Sequence, residues 1–585
     1  MDRPLHRSTC ADAPRTWKEK RPSMTLPLLA TLFLSILCAG YWFYGGWIAK
    51  QVGLNDARKT PAHTLEDGIN FVPTKPFYLF AQHFSAIAAA GPIAGPILAS
   101  QAFGWLPCLL WILLGVVLIG AVHDFTSLAA SVRHKGNSLA EITRDHLGPN
   151  AGKAMMAFIW LALIYVIVAF TDITSASFVS KSTVEGVEVS FNAGGAVAAA
   201  SISYLLLSLL LGVIQRLWKP PLWLVTVVFV PATLGVVWLG TQISPWFVLN
   251  VSEPNKVWAI GILAYCALAS LFPVWLLLQP RGYLGGFVLY LALFVGVVGI
   301  FFGGFEIQQP AFKTWSADGM TGGLFPFLFV TIACGACSGF HGLVCSGTTS
   351  KQVDRESDAH AIGYGAMLAE GFVAFIALVT VMIVADADLK GLKPATIYGN
   401  GIGNFLTLLI GKENLPFALT FGAMVFSTFV FDTLDVSVRL SRYLIQEFFG
   451  WKNKISAGVA TLLTMVLPVY FISAAPDGSW VKFWVLFGAS NQLLAALTLL
   501  SLTLWLYHAR KRIAFTLLPM LFVLVITLSA LLKLMIGNFH AAQGLDVSMI
   551  NAGCAAILIT LAIYLIIAAF RARKAPPYAI RQETL

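Results

Sequence analysis

Runs of about twenty apolar residues recur some fifteen times along this chain, joined by short connections. A run of roughly 20 such residues is what a helix needs to cross a bilayer. Of the whole sequence, 58% is hydrophobic and 11% charged, against roughly 25% charged in a soluble domain. The chain therefore reads as all-α and polytopic, with about fifteen transmembrane helices and no room for a separate soluble domain. The expected spans include 77–100, 106–132, 325–346, 361–385, 415–434 and 483–507.

Two of these runs interrupt themselves. In 77–100, FYLFAQHFSAIAAAGPIAGPILAS, the prolines Pro92 and Pro96 remove backbone donors, which should free the carbonyls of Ala88 and Pro92. Freed carbonyls in hydrocarbon find partners only inside protein, around a water-filled cavity, or on a bound ion or substrate. The segment 325–346, FPFLFVTIACGACSGFHGLVCS, is broken by glycine and should run in the opposite direction. Opposed broken helices point to an inverted repeat with a midplane site, although close packing of small residues is the competing explanation for either one.

Orientation follows from charge. Net charge is +10, and with the connections numbered from the first, the odd ones and the carboxy-terminal tail hold 24 Lys and Arg against 7 in the even ones. Basic loops stay in the cytoplasm, so the carboxy terminus is expected there, and the charge needs no nucleic acid partner. Residues 1–26 carry six Lys and Arg yet fall outside by this count. Either a span is miscounted or translation starts at Met24. Beyond this tail, the expected regions are a transmembrane core 27–346 with both broken helices, a multi-span region 361–507, and 508–585 with the last two spans. The eight cysteines form no disulfide framework. Cys334 and Cys337 have CxxC spacing without a second ligand pair, no HExxH occurs, and Gly148–Lys153 is one residue short of a Walker loop. No cofactor or metal is expected, and a pump of this kind would run on an ion gradient.

Ionisable groups at membrane depth are costly and so are functional candidates. His83 lies eight residues before Gly91, about 12 Å along a helix. His123 and Asp124 are adjacent near the end of their span, where a carboxylate beside an imidazole can relay a proton. Glu370 is the most deeply placed carboxylate, and Asp432 and Asp435 share a helical face. For Asp435 the simplest expectation is an ion pair with Arg439, four residues on. His83, His123, Asp124, Glu370 and Asp432 are the proton-coupling candidates. For substrate, Gly91, Pro92, Gly95 and Pro96 are candidates in the first break. Ser338, Gly339, His341, Ser346 and Thr348 are their counterparts in the second, and Asn491 joins them unless it only binds helices together.

Five ordered motifs, HFSAIAAAGPIAGPILA, GAVHDFTSLAASVRHKGNSLAEI, ACSGFHGLVCSGTTSKQ, FDTLDVSVRLSRYLIQE and FGASNQLLAALTL, resemble the carbon starvation protein A family of bacterial membrane proteins. The resemblance runs from about Tyr41 to Tyr507, with Ala89, Ala90 and Cys345 as departures. It implies a multi-pass inner-membrane carrier that is not an enzyme and that imports peptides or pyruvate, with a proton favoured over sodium as the coupling ion. It also implies a distant relation to the amino acid, polyamine and organocation carriers. Two other classes stay open: a membrane sensor of the same nutrients, and an intramembrane metal or redox enzyme using His83, His123, His341, Cys334 and Cys337.

Overall fold

The computed structural model describes residues 25–68, 70–88, 90–180, 191–317, 322–451, 453–475 and 480–574. The basic amino-terminal tail, and with it the expected start at Met24, lies outside the described residues. Helix α1 (Leu26–Val52) is followed by α2 (Pro76–Ile87) and α3 (Gly91–Phe103), two halves of one span bent by 45°. Next come α4 (Trp105–Arg133), the short α5 (Leu139–Leu147) and α6 (Pro149–Phe178). They lead to α7 (Ala193–Trp218), α8 (Leu222–Phe247), α9 (Pro254–Leu271) and α10 (Leu278–Phe302). A two-residue ribbon, β1 (Ser316–Ala317) against β2 (Gly322–Gly323), introduces α11 (Leu324–Thr331) and α12 (Gly339–Gly347). The chain continues through α13 (His360–Met382), α14 (Pro394–Ile410), α15 (Leu415–Phe449) and α16 (Lys454–Ala474). It closes on α17 (Trp480–His508), α18 (Ala514–Ala541) and α19 (Val547–Ala572).

Among the described residues, thirteen helices are long and apolar enough to cross a membrane alone, and α2 with α3 makes a fourteenth. The remaining expected span, 325–346, is divided between α11 and α12, which are 8 and 9 residues long. One buried core runs from Leu26 to Leu565.

Local chemistry accounts for the joints. Pro92 sits in the first turn of α3, where a missing N–H costs nothing. It therefore starts a helix rather than breaking one, and the interruption falls between the end of α2 at Ile87 and the start of α3 at Gly91, while Pro96 is the proline inside the helix. Gly104 joins α3 to α4 with φ +90°, and a Cβ there would stand 2.7 Å from the carbonyl oxygen of Ala311, so glycine is required twice over. Ser138 and Glu141 form a capping box that starts α5.

Two expectations change. The connection 386–414 contains a helix, α14, whose partners are the last turns of α10 and α13 and the first turns of α15: Phe405 lies against Gly299, Thr380 against Gly401, and Leu419 and Ala423 against Gly403 and Gly399. It caps one end of the bundle. The span expected to end at 434 continues as α15 to Phe449, so Arg439 and Arg442 are buried helical residues rather than loop residues, and Asp435 is buried well inside the helix rather than at its end.

Candidate functional site

The two broken spans lie against each other in antiparallel register. A Cβ on Gly91 would stand 2.4 Å from the Cys334 sulfur, and one on Gly95 would stand 2.5 Å from the carbonyl oxygen of Thr331. Further along, His83 Nδ1 is 2.9 Å from Thr349 Oγ1, and its Nε2 is 3.9 Å from the sulfur of Cys345. As numbering rises along α2 and α3 it falls along α12 and α11, so the breaks meet at Gly91, Pro92, Cys334 and Gly335.

Polar groups left over by the second break are taken up by side chains of neighbouring helices. The indole of Trp111 donates to Phe329 O and Ile332 O, both at 3.2 Å, and the indole of Trp484 donates to Thr331 O at 3.2 Å. Gln492 Nε2 donates to Phe329 O at 3.0 Å. At the start of α12, Asn491 Oδ1 accepts from Phe340 N at 2.9 Å, and its Nδ2 donates to Ser338 Oγ at 3.0 Å. The hydroxyls of Ser346 and Thr348 donate to Gly342 O and Val344 O, carbonyls of their own helix. Gly339 packs against the backbone of Asn491, and Pro96 is buried within α3.

The ionisable candidates converge more sharply. Asp124, from α4, accepts from His123 Nδ1 on Oδ1 at 2.7 Å and faces His341 Nδ1, from α12, on Oδ2 at 2.8 Å. The other ring nitrogen of His341 lies 3.1 Å from Oε2 of Glu370, on α13. All four side chains are buried. The π-helical turns Val116–Gly120 and His360–Gly365 precede Asp124 and Glu370 on their helices, a deformation frequent at functional sites. Gly120 lets α4 approach the second break, since a Cβ there would be 2.4 Å from Ala336 O.

The arrangement has a definite proton capacity. His341 presents a nitrogen to a carboxylate on each side, and a neutral imidazole has only one N–H. A proton is therefore required either on the second ring nitrogen or on one of the carboxyl groups, because otherwise a lone pair faces an anionic oxygen. Both carboxylate oxygens of Glu370 and Nε2 of His123 are buried without a hydrogen-bond partner among the described residues, so the approach of His341 to Oε2 is an ion-pair contact. His123, Asp124, His341 and Glu370 thus form a continuous row along which one proton can sit at several places.

Asp432 stands apart from this row, whereas His83 reaches it through Cys345, whose sulfur lies 3.9 Å from His83 Nε2 and donates to Asp124 O at 3.4 Å. Asp432 and Asp435 of α15 both pair with Arg281 of α10, the first at Nε and the second at Nη1. The pairing expected between Asp435 and Arg439 is not formed: Arg439 Nη2 instead donates to Ala269 O and Phe272 O, the exposed carbonyl end of α9. Arg281 escaped the sequence reading because it lies between two apolar runs, where arginine ordinarily marks a loop. The two tryptophans escaped it because indole in an apolar run carries no mark of its partner.

The family model described as "Carbon starvation protein CstA" matches residues 25–400 and 386–530. A "Peptide transporter CstA" of Bacillus subtilis is 33% identical over 92% of this chain and 95% of its own length. One of Campylobacter jejuni is also 33% identical, over 86% of this chain and 80% of its own. A "Pyruvate/proton symporter BtsT" of Escherichia coli is 32% identical, over 86% of this chain and 81% of its own. The matched residues contain both broken spans and all of the His123–Asp124–His341–Glu370 row, and the chain belongs to the carbon starvation protein CstA family.

Proposed function

We propose that this protein is a secondary transporter that imports peptides or pyruvate with protons across a bacterial inner membrane, its carboxy terminus in the cytoplasm. The observation that carries this reading is the buried row His123–Asp124–His341–Glu370, which joins α4, the helix that follows the first broken span, to α12, the helix after the second break, and to α13. The peptide and pyruvate/proton names of its relatives supply the substrate class. Imidazole and carboxylate are the groups a proton needs, and they favour it over sodium.

In this reading substrate meets the molecule where Gly91–Pro96 faces Ser338–Thr348. Gain or loss of a proton on the His341 row alters the charge between α4, α12 and α13, and so the ease with which the two breaks separate. Replacing Asp124 with Asn keeps the side chain's size and removes its charge. Accumulation of labelled pyruvate or dipeptide driven by an inward pH gradient should be abolished in proteoliposomes, with insertion preserved. Accumulation equal to the unmodified protein would remove Asp124 from the coupling role.

A further inference from the structure

Arg281, Asp432 and Asp435 form a second buried charge cluster, separate from the His341 row. Two carboxylates face one guanidinium, so the cluster is anionic by one unit when all three are charged. Arg281 Nη1 also donates to the hydroxyl of Tyr265, at 2.8 Å, while Nη2 is buried and has no partner among the described residues. Nε and Nη2 lie on the same edge of a guanidinium, the edge that binds a carboxylate through two parallel hydrogen bonds. Asp432 thus occupies half of an edge made for a whole carboxylate.

The two aspartates differ in access. The side chain of Asp432 is 17% exposed, against 3% for Asp435 and none for Arg281. Asp432 heads a stripe on α15, continued by Val436 and Leu440 at four-residue spacing, whose members are all partly exposed towards the carboxy-terminal end of that helix. On α2, Gln82 is exposed and Ser85 partly exposed. To both helices α10 presents glycines: Gly285 lies against Asp432, Gly286 towards Ser85, and a Cβ on Gly282 would meet nothing. The glycines of α10 thus leave room for Asp432 beside Arg281. The charged groups that face Asp432 are Arg281 from α10 and Asp435 on its own helix, with the Tyr204 hydroxyl of α7 beside them.

We propose that Arg281 is a station for the substrate's carboxylate, opened by a proton on Asp432. The proton adds to a carboxylate oxygen of Asp432, the hydrogen bond from Arg281 Nε breaks, and Nε–H and Nη2–H both pass to the substrate carboxylate. Asp435 and Tyr265 keep Nη1 in place. When the substrate leaves the proton follows, and Asp432 returns to Nε. A carboxylate is the group that pyruvate and a peptide share, so one arginine edge serves both. This inference rests on the transporter reading above.

The test uses the full-length protein in proteoliposomes, with counterflow of labelled pyruvate and of labelled dialanine. Pyruvamide and the carboxy-terminal amide of dialanine should compete at least tenfold more weakly than the parent acids. R281K, which keeps the charge and loses the paired edge, should weaken both acids at least tenfold. D432N should bind pyruvate equally at acid and alkaline pH, where the unmodified protein binds it better in acid. Amides that compete as well as acids, R281K that binds as the unmodified protein does, or D432N that retains the pH dependence would each overturn the proposal. The competition arm needs no variant, so a misfolded R281K leaves it decisive. If the unmodified protein moves neither acid, the transporter reading itself fails.

Discussion

An asparagine inside an apolar helix must direct its donors and acceptor to protein, and Asn491 does so at the second break, on the Cys334 sulfur and at the start of α12. Its Oδ1 is the acceptor for Phe340 N, one of the first-turn amides that no helix satisfies from within. N491A should therefore leave that amide buried and unpaired and cost about 1–3 kcal/mol. Thr498, two turns on along α17, has a buried hydroxyl without a partner among the described residues, so T498V should cost nothing measurable. Thermal unfolding of both variants in detergent checks the contrast, and equal losses would mean that the cap is not what Asn491 contributes. The same contrast explains what was legible at this scale. Asp124, His341 and Glu370 could be picked from sequence because charge is rare in apolar runs. Their joining through one imidazole could not, since Asp124 and His341 are 217 residues apart. Arg281 was invisible because a short connection and the first turn of a helix look alike, and only the burial of α10 separates them.

Helix α14 shows why one element went unread while its neighbours did not. PATIYGNGIGNFLTLLI carries three glycines and two asparagines, poor helix formers all. What makes it helical is packing: Gly399, Gly401 and Gly403 each let a neighbouring helix come within 3.1 Å or less of where a Cβ would be. Long apolar runs, by contrast, announce themselves, and the fold was legible to the extent that it is made of them. A second junction between elements was equally silent. His134 at the end of α4 and His146 on α5 face each other Nε2 to Nε2 at 3.0 Å, with the ring of His508, the last residue of α17, stacked on His146. Burial first, then His134 and His508, lowers His146 from 6.5 to about 3, and burial also lowers His134. Below 6.5 the unfolded chain binds protons that the folded one refuses, so the stability this junction gives is complete above that pH and is lost as pH falls towards 3. The slope is about 1.4 kcal/mol per pH unit for one such group. The melting temperature should fall on acidification from neutral pH, and H146F, which keeps a ring there without a titrating nitrogen, should fall less steeply. An unchanged slope would place the acid sensitivity elsewhere.

At the scale of the whole molecule, the two broken spans are what the fold is arranged around, and in this structure they are closed upon each other. Pro92 lies beside Gly335, Cys334 fills the notch at Gly91, and Thr331 O fills the one at Gly95. Substrate passage between the breaks requires that they part, so closure and separation must be close in free energy, and a side chain forced between them should bias that balance. The two glycines differ as wedges. At Gly91 the obstacle is a side-chain sulfur, which can turn away, whereas at Gly95 it is a backbone carbonyl already held by the Trp484 indole. G95V should therefore hold the breaks apart where G91A is accommodated by a shift of Cys334. Cys334 is buried at 6% exposure, and its alkylation by N-ethylmaleimide, mapped by peptide mass to distinguish it from the exposed Cys38, reports the separation directly. Labelling at Cys334 should rise at least tenfold in G95V, with loss of pH-driven accumulation, and stay near the unmodified rate in G91A. Equal, slow labelling in both variants would mean that the breaks do not move apart as a pair, and the route for substrate would have to be sought away from the contact that organises the fold.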